Sequence, residues 1–320
     1  MKKLLLFLLI LPLAVGCAER CRGGRDGVWR EENGKLKVLS TIEMIDDLVQ
    51  KIGQDYVDST ALIRGGLDPH SYELVKGDDE KFVRADIIFY NGLGLEHGLS
   101  LSRNLIGNGK AVPVSEWLLH DHEDRLMIGE GQYDPHIWMD ISLWMETIDP
   151  IVAELSQKDP DHAEQFRENG RALREEMERA DNEIVERLHR IPAQRRYLVT
   201  SHDAFNYFTR RYLAEPGEGE RWQDRCCAPE GLAPDAQLSI VDMRKIVDHI
   251  GTHNISVVFT ESNVNKDSLK KIVSTGRAKG FAVRLSPEEL YGDAMGKSGS
   301  YLEMIAHNVD VIARSFGGEL

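Results

Sequence analysis

Two histidines of this 320-residue chain share one local setting. His70 closes the triplet Asp68-Pro69-His70, and His136 closes Asp134-Pro135-His136. Proline fixes its own φ and biases the residue before it towards extended backbone. Each imidazole is thus presented on stiffened chain, as a metal ligand requires. His202 follows an apolar run at 197–200 and precedes a helical stretch. That puts it at the carboxyl end of a predicted strand, where open α/β sheets bind their ligands. Asp293 sits between Gly292 and Gly296, a sign of close backbone approach, and is the candidate carboxylate. Glu261 ends a predicted strand at 257–260 and is placed to orient a ligand from behind. Three imidazoles and one carboxylate suit a borderline metal ion. Mn2+, Fe2+ and Zn2+ accept nitrogen and oxygen together, whereas Mg2+ and Ca2+ favour oxygen-only shells. The donor set alone does not choose among the three.

Other histidines carry less. His162 and His189 fall in one long helical pattern, His249 and His253 around a helix end, and His307 in the last helix. These read as solvated or internally satisfied side chains. The run His120-Asp121-His122-Glu123-Asp124 reads as a solvated loop. The chain has no Gly-rich phosphate loop and no His-Glu-x-x-His helix, so nucleotide binding and a zincin-type hydrolase are not indicated.

The elements that must position these residues alternate. Strands are predicted at 36–40, 57–63, 87–90 and 111–114, with helices at 41–53 and 76–84. After Asp159-Pro160-Asp161, an apolar stripe of Phe166, Leu173, Met177, Ala180, Ile184, Leu188 and Ile191 predicts one helix of about 45 Å. Alternation then resumes, with strands at 197–200, 257–260 and 281–285 and helices at 204–211, 237–250, 266–277 and 300–315. The reading is α/β: two lobes, each a mostly parallel sheet flanked by helices, joined by one long rigid helix. The segments are 1–16 signal peptide, 17–34 tether, 35–158 N-terminal lobe, 159–192 linker helix and 193–320 C-terminal lobe.

Residues 1–16 have a secretory layout: Lys2 and Lys3, then an apolar stretch at 4–15 too short for the roughly 20 residues a membrane helix needs. Ala14-Val15-Gly16-Cys17 resembles a lipobox with alanine in the usual leucine place, which anchors the mature chain by lipid at Cys17 outside the cytoplasm. Cleavage after Ala18 would instead leave it soluble in the periplasm. Without Lys2 and Lys3, the 39 basic residues become 37 against 53 acidic, a charge of −16. Nucleic acid, which needs clustered Lys and Arg, is excluded as a partner. Cys21 lies in the tether, and Cys226 and Cys227 are adjacent. A bond between neighbours is strained. Pairing of Cys21 with either one stays open.

The chain resembles the zinc/manganese/iron ABC-transporter substrate-binding proteins, the TroA-like class. The carriers are Asp-Pro-His-x-Tyr-Glu at 68–73, Asp-Pro-His-x-Trp-Met-Asp at 134–140 and Thr-Ser-His-Asp-Ala-Phe-x-Tyr-Phe at 200–208. Phe259-Thr260-Glu261, Gly292-Asp293-Ala294-Met295-Gly296 and the loop at 225–232 complete the set. The resemblance runs from about residue 35 to the C-terminus. It implies a metal in the cleft between the lobes, with His70 and His136 from the first lobe and His202 and Asp293 from the second. It also implies a monomer, not an enzyme, that delivers metal to an ABC permease in the inner membrane. Two departures bear on the cargo. Zinc-dedicated members carry a long His/Asp/Glu-rich loop absent here, and many manganese-dedicated members carry glutamate at the place of His202. The rival readings are a metal-dependent hydrolase built on the same histidines, and a binder of an organic metal chelate.

Overall fold

A computed structural model describes Trp29 and residues 32–129, 131–234 and 240–317. The signal segment and both Cys17 and Cys21 lie outside the described residues.

The first lobe is built on four parallel strands, β1 (Leu36–Ser40), β2 (Val57–Ala61), β3 (Ile87–Tyr90) and β4 (Ala111–Pro113), in the order β2-β1-β3-β4. Val38 pairs with Ser59 on one side and Ile87 on the other. Successive side chains of a strand point to opposite faces, and here both faces are covered. Val38, Ile87 and Phe89 enter one core, whereas Leu39 and Ile88 enter another. Helix α1 (Glu43–Gly53) seals the first face with Ile45, Leu48, Val49 and Ile52, spaced as one helical stripe. Helices α2 (Asp78–Arg84) and α3 (Leu99–Leu105) seal the other with Phe82, Leu101 and Leu105.

Two helices lead out of this lobe. The first, α4 (Ile148–Lys158), is not among the elements predicted from sequence; Pro150 stands in its first turn, where a missing N–H costs nothing. The second is the long helix α5 (Ala163–His189), preceded by a 3-10 turn at Pro160–His162. Phe166, Leu173, Met177, Ile184 and Leu188 are buried along it, Ile191 just beyond it, and Ala180 partly so. It packs on α1 and α4 at one end and on elements of the second lobe at the other. One polar residue interrupts the stripe. Buried Asp181 accepts hydrogen bonds from Tyr212 Oη at 2.8 Å and Arg211 Nε at 3.2 Å, pinning α5 to the second lobe.

The second lobe holds β5 (Leu198–Val199), β6 (Cys226–Cys227), α6 (Ile240–Thr252), β7 (Val257–Val258), α7 (Asp267–Ala278), β8 (Arg284–Leu285) and α8 (Tyr301–Ser315). β5 pairs with β6 and β7 with β8, all parallel. The Phe259 N–H donates to the Val199 carbonyl at 2.8 Å and joins the pairs. These strands are shorter than the predicted four or five residues. The Ser201 and His202 amides, which would extend the β5 ladder, donate instead to Glu261 Oε1 at 2.8 and 3.0 Å. Pairing survives past that point only as single bridges, His202 with Glu230 and Glu261 with Leu290. The predicted helix at 204–211 also differs. It is a 3-10 turn, one α turn and a π turn at Thr209–Leu213. Tyr207 and Tyr212 stand five residues apart, about 140° apart on an ideal α-helix. The wider π turn lets both face inward, where Tyr207 donates to the Asp134 carbonyl and Tyr212 accepts from the Ile141 N–H.

Candidate metal centre

The repeated triplet is a repeated structure. In each, the aspartate side chain folds forward to the amide two residues on: Asp68 Oδ1 accepts from His70 N–H at 2.9 Å, and Asp134 Oδ1 from His136 N–H at 3.0 Å. This Asx turn leaves the histidine side chain projecting inward. The first triplet follows β2 of the parallel sheet, whereas the second follows Tyr133, at the end of a two-residue strand paired antiparallel with Ile128–Gly129. His202 stands in extended backbone just beyond β5, and Asp293 lies in the loop after the Glu261–Leu290 bridge.

These four side chains converge. His70 Nε2 lies 3.2 Å from His136 Nε2. Asp293 Oδ2 is 3.1 Å from His202 Nε2 and 3.8 Å from His70 Nε2, and its Oδ1 is 3.4 Å from His136 Nε2. One candidate ligand atom from each residue falls within 4.8 Å of all the others. None of the four residues is more than 4% exposed. The protein brings three imidazole nitrogens and a carboxylate together in a buried place. Asp293 Oδ1 and His202 Nε2 have no hydrogen-bond partner there. Buried polar atoms without partners are costly, and a cation at their focus would satisfy both. The donor set therefore fits a borderline transition metal.

A surrounding layer fixes the rings. His136 Nδ1 lies 2.7 Å from Asp134 Oδ1, which turns Nε2 to the centre, where an arriving ion would displace its proton. His202 Nδ1 lies 2.8 Å from Glu261 Oε2, off the hydrogen-bond direction, while Glu261 Oε1 holds the two amides already named. Asn263 Nδ2 donates to Asp293 Oδ2 at 3.1 Å. Trp138 packs edge-on to the His136 ring at 5.3 Å, and its Nε1 donates to the Gly292 carbonyl at 3.0 Å. One indole thus links the first lobe to the residue preceding Asp293. The charges follow the geometry. Burial drives His70 down to about 3, with Asp293 opposing. Burial also works against a proton on His136, but Asp134 and Asp293 outweigh it and hold this histidine at about 9. His202 is raised well above its ordinary value, since Asp293 and Glu261 overcome the burial that would lower it. Burial alone would raise Asp293, yet His202 and His136 hold it well below the usual carboxylate range.

The structure brings His70, His136, His202 and Asp293 together and sets Glu261 behind them. The remaining predicted bystanders are elsewhere. His162 stacks on Tyr56, His253 on Tyr197 beside His249, and His307 on Tyr291. His120 and its acidic neighbours are at the surface. Among the described residues Cys226 and Cys227 form no disulfide, and burial pushes both thiols up, Cys227 to about 12. The sequence reading gave no role to Asp134, Trp138 or Asn263. Asp134 and Trp138 lie inside the 134–140 motif, and that position was the available signal. Asn263 carries no comparable signal.

Residues 38–315 match the family described as ZnuA, zinc-uptake complex component A, periplasmic, and the chain belongs to that family. It is 41% identical over 322 residues to the metal-binding protein YtgA of Chlamydia trachomatis serovar D, covering 99% of this chain and 97% of that one. It is 33% identical to the manganese-binding lipoprotein MntA of Bacillus subtilis (strain 168), covering 91% and 93% of the two chains. The crystal structure of Fe(III)-bound YtgA from Chlamydia trachomatis superposes with a TM-score of 0.84 at 42% identity, covering 88% of this chain and 98% of that one. Among the described residues no helix is long and apolar enough to cross a membrane.

Proposed function

We propose that this chain is the extracytoplasmic solute-binding component of an ABC importer, capturing one transition metal ion and delivering it to a membrane permease. The observation that carries the reading is the closed cluster of four buried ligand atoms contributed by two lobes. His70, His136, His202 and Asp293 hold the ion, and Glu261 and Asp134 orient the rings behind it. Capture and release involve no catalytic step. Four protein ligands leave no open position for a hydrolytic water, which argues against the hydrolase reading. Burial of four ligand atoms within 4.8 Å of one another leaves no room for an organic chelate and argues against it. Mn2+, Fe2+ and Zn2+ are the cargoes the donor set admits, and the iron-loaded YtgA brings Fe(III) within the test.

The segments at 1–16 and 17–34 serve as signal and tether, with a lipid on Cys17. The chain works as a monomer, 35–158 and 193–320 being the lobes and 159–192 the connector. A single helix packed on both lobes hinges little, so closure is small and release follows docking on the permease. The test is a metal titration of the stripped protein. One ion per chain is expected, and His70→Ala, His136→Ala or His202→Ala should weaken binding at least about tenfold. Wild-type affinity in all three variants would refute the ligand assignment.

A further inference from the structure

An ion reaching this cluster must pass the protein surface, since each candidate ligand is buried. One imidazole outside the set stands at that surface. His97 is exposed, and its ring centroid lies 5.6 Å from that of His70. Several contacts hold it there. The Glu73 carboxylate, last residue of the 68–73 motif, accepts the amides of Leu99 at 2.7 Å and Ser100 at 2.8 Å. Gly98 runs so close to the same motif that a Cβ there would lie 2.0 Å from the Tyr72 carbonyl oxygen. The turn bearing His97 is therefore clamped onto the loop bearing His70. Within the turn, the His97 N–H donates to the Leu95 carbonyl at 3.0 Å, and Nδ1 lies 3.2 Å from the Gly94 carbonyl. A carbonyl only accepts, so Nδ1 donates in this contact, which in the neutral ring leaves the Nε2 lone pair to a ligand. This is the arrangement in which histidines serve as metal ligands, one nitrogen anchored and the other offered.

We propose that His97 is a gateway ligand: its Nε2 takes an arriving divalent transition metal ion at the surface and passes it to His70 and the buried set. The inference rests on the metal-capture reading above. A ligand used only in passing lowers the barrier between water and the site and leaves the end states alone. Capture and release should then slow together when it is removed, with affinity unchanged.

The test uses the metal-free full chain and His97→Ala, mixed rapidly with Zn2+ and, separately, with Mn2+. Tryptophan fluorescence reports occupancy, because one of the five indoles, that of Trp138, lies against His136. Release is driven by excess EDTA. Association and release should each slow by about tenfold, the low end of the one to three decades over which point changes move association rates. Stoichiometry and Kd should stay those of the wild type. An unchanged association rate overturns the proposal. So does a Kd weakened as far as in His70→Ala, which would make His97 a resident ligand. His97→Gln keeps a polar side chain without the imidazole, and wild-type rates in that variant also overturn the proposal. Failure of the wild-type protein to bind either ion overturns the metal-capture reading instead, and is seen before any variant is compared.

Discussion

The sharpest perturbation of the centre is a single methyl group at Gly292. A Cβ built there would lie 2.2 Å from Glu261 Oε2 and 3.3 Å from His202 Cε1, whereas real Cβ atoms stay beyond 3.0 Å. Glu261 is fully buried, and its other oxygen holds the Ser201 and His202 amides. It cannot swing into solvent, so the carboxylate must shift bodily, losing alignment with those amides and its close ion-pair contact with His202 Nδ1. Overpacking of this kind costs about 1–3 kcal/mol of stability. Disturbing a group that orients a metal-binding histidine costs about 10–100-fold in affinity, or about 1.4–2.8 kcal/mol at 1.4 kcal/mol per tenfold. Gly292→Ala should therefore melt earlier without metal and bind metal at least about tenfold more weakly. Thermal unfolding of the stripped protein and a competition titration measure the two effects separately. Gly109→Ala is the control, since nothing lies within 4 Å of a Cβ at that position. Wild-type affinity and Tm in Gly292→Ala would refute the claim that Glu261 is confined and that His202 depends on it.

Other outcomes follow from the same contacts. Asp134→Asn removes the charge behind His136 Nδ1, and metal affinity should fall by about tenfold with the fold retained, read by titration and circular dichroism. Asp181→Ala strips the partner from Tyr212 and Arg211 at the buried face of α5 and should cost about 3 kcal/mol, seen as a lowered denaturant midpoint at unchanged slope. Burial, with His253 adding to it, pushes His249 down to about 4. Between that value and the ordinary 6.5 the unfolded chain binds the extra proton, so this histidine's contribution is intact above pH 6.5 and lost as pH falls towards 4. His249→Gln should flatten the stability profile in that window, and a profile parallel to the wild type would refute the assignment.

Much of the centre was legible because its chemistry is tied to local chain. Two Asp-Pro-His triplets announce two stiff presentations of imidazole, and both form the same Asx turn. The long helix was legible because its stripe repeats at helical spacing. The two-lobed α/β order followed from alternating strand and helix patterns. What local pattern could not give is the boundary of elements that a distant side chain interrupts. β5 stops where Glu261, sixty residues later, takes the amides of Ser201 and His202. The helix at 204–211 widens into a π turn because Tyr207 and Tyr212 must both reach the first lobe.

The sequence by itself determined the kinds of donor, their stiff backbone settings and the two halves that carry them. Those are properties of neighbouring residues, read at spacings of two to four. Tertiary structure alone decided that His70, His136, His202 and Asp293 meet, because their separation in space depends on how two sheets and one helix pack. It alone gave Asp134, Trp138 and Asn263 their places around the cluster, and set His97 beside His70. Such contacts join residues far apart in the chain, 154 positions in the case of Trp138 and Gly292, and no periodicity along the chain encodes them.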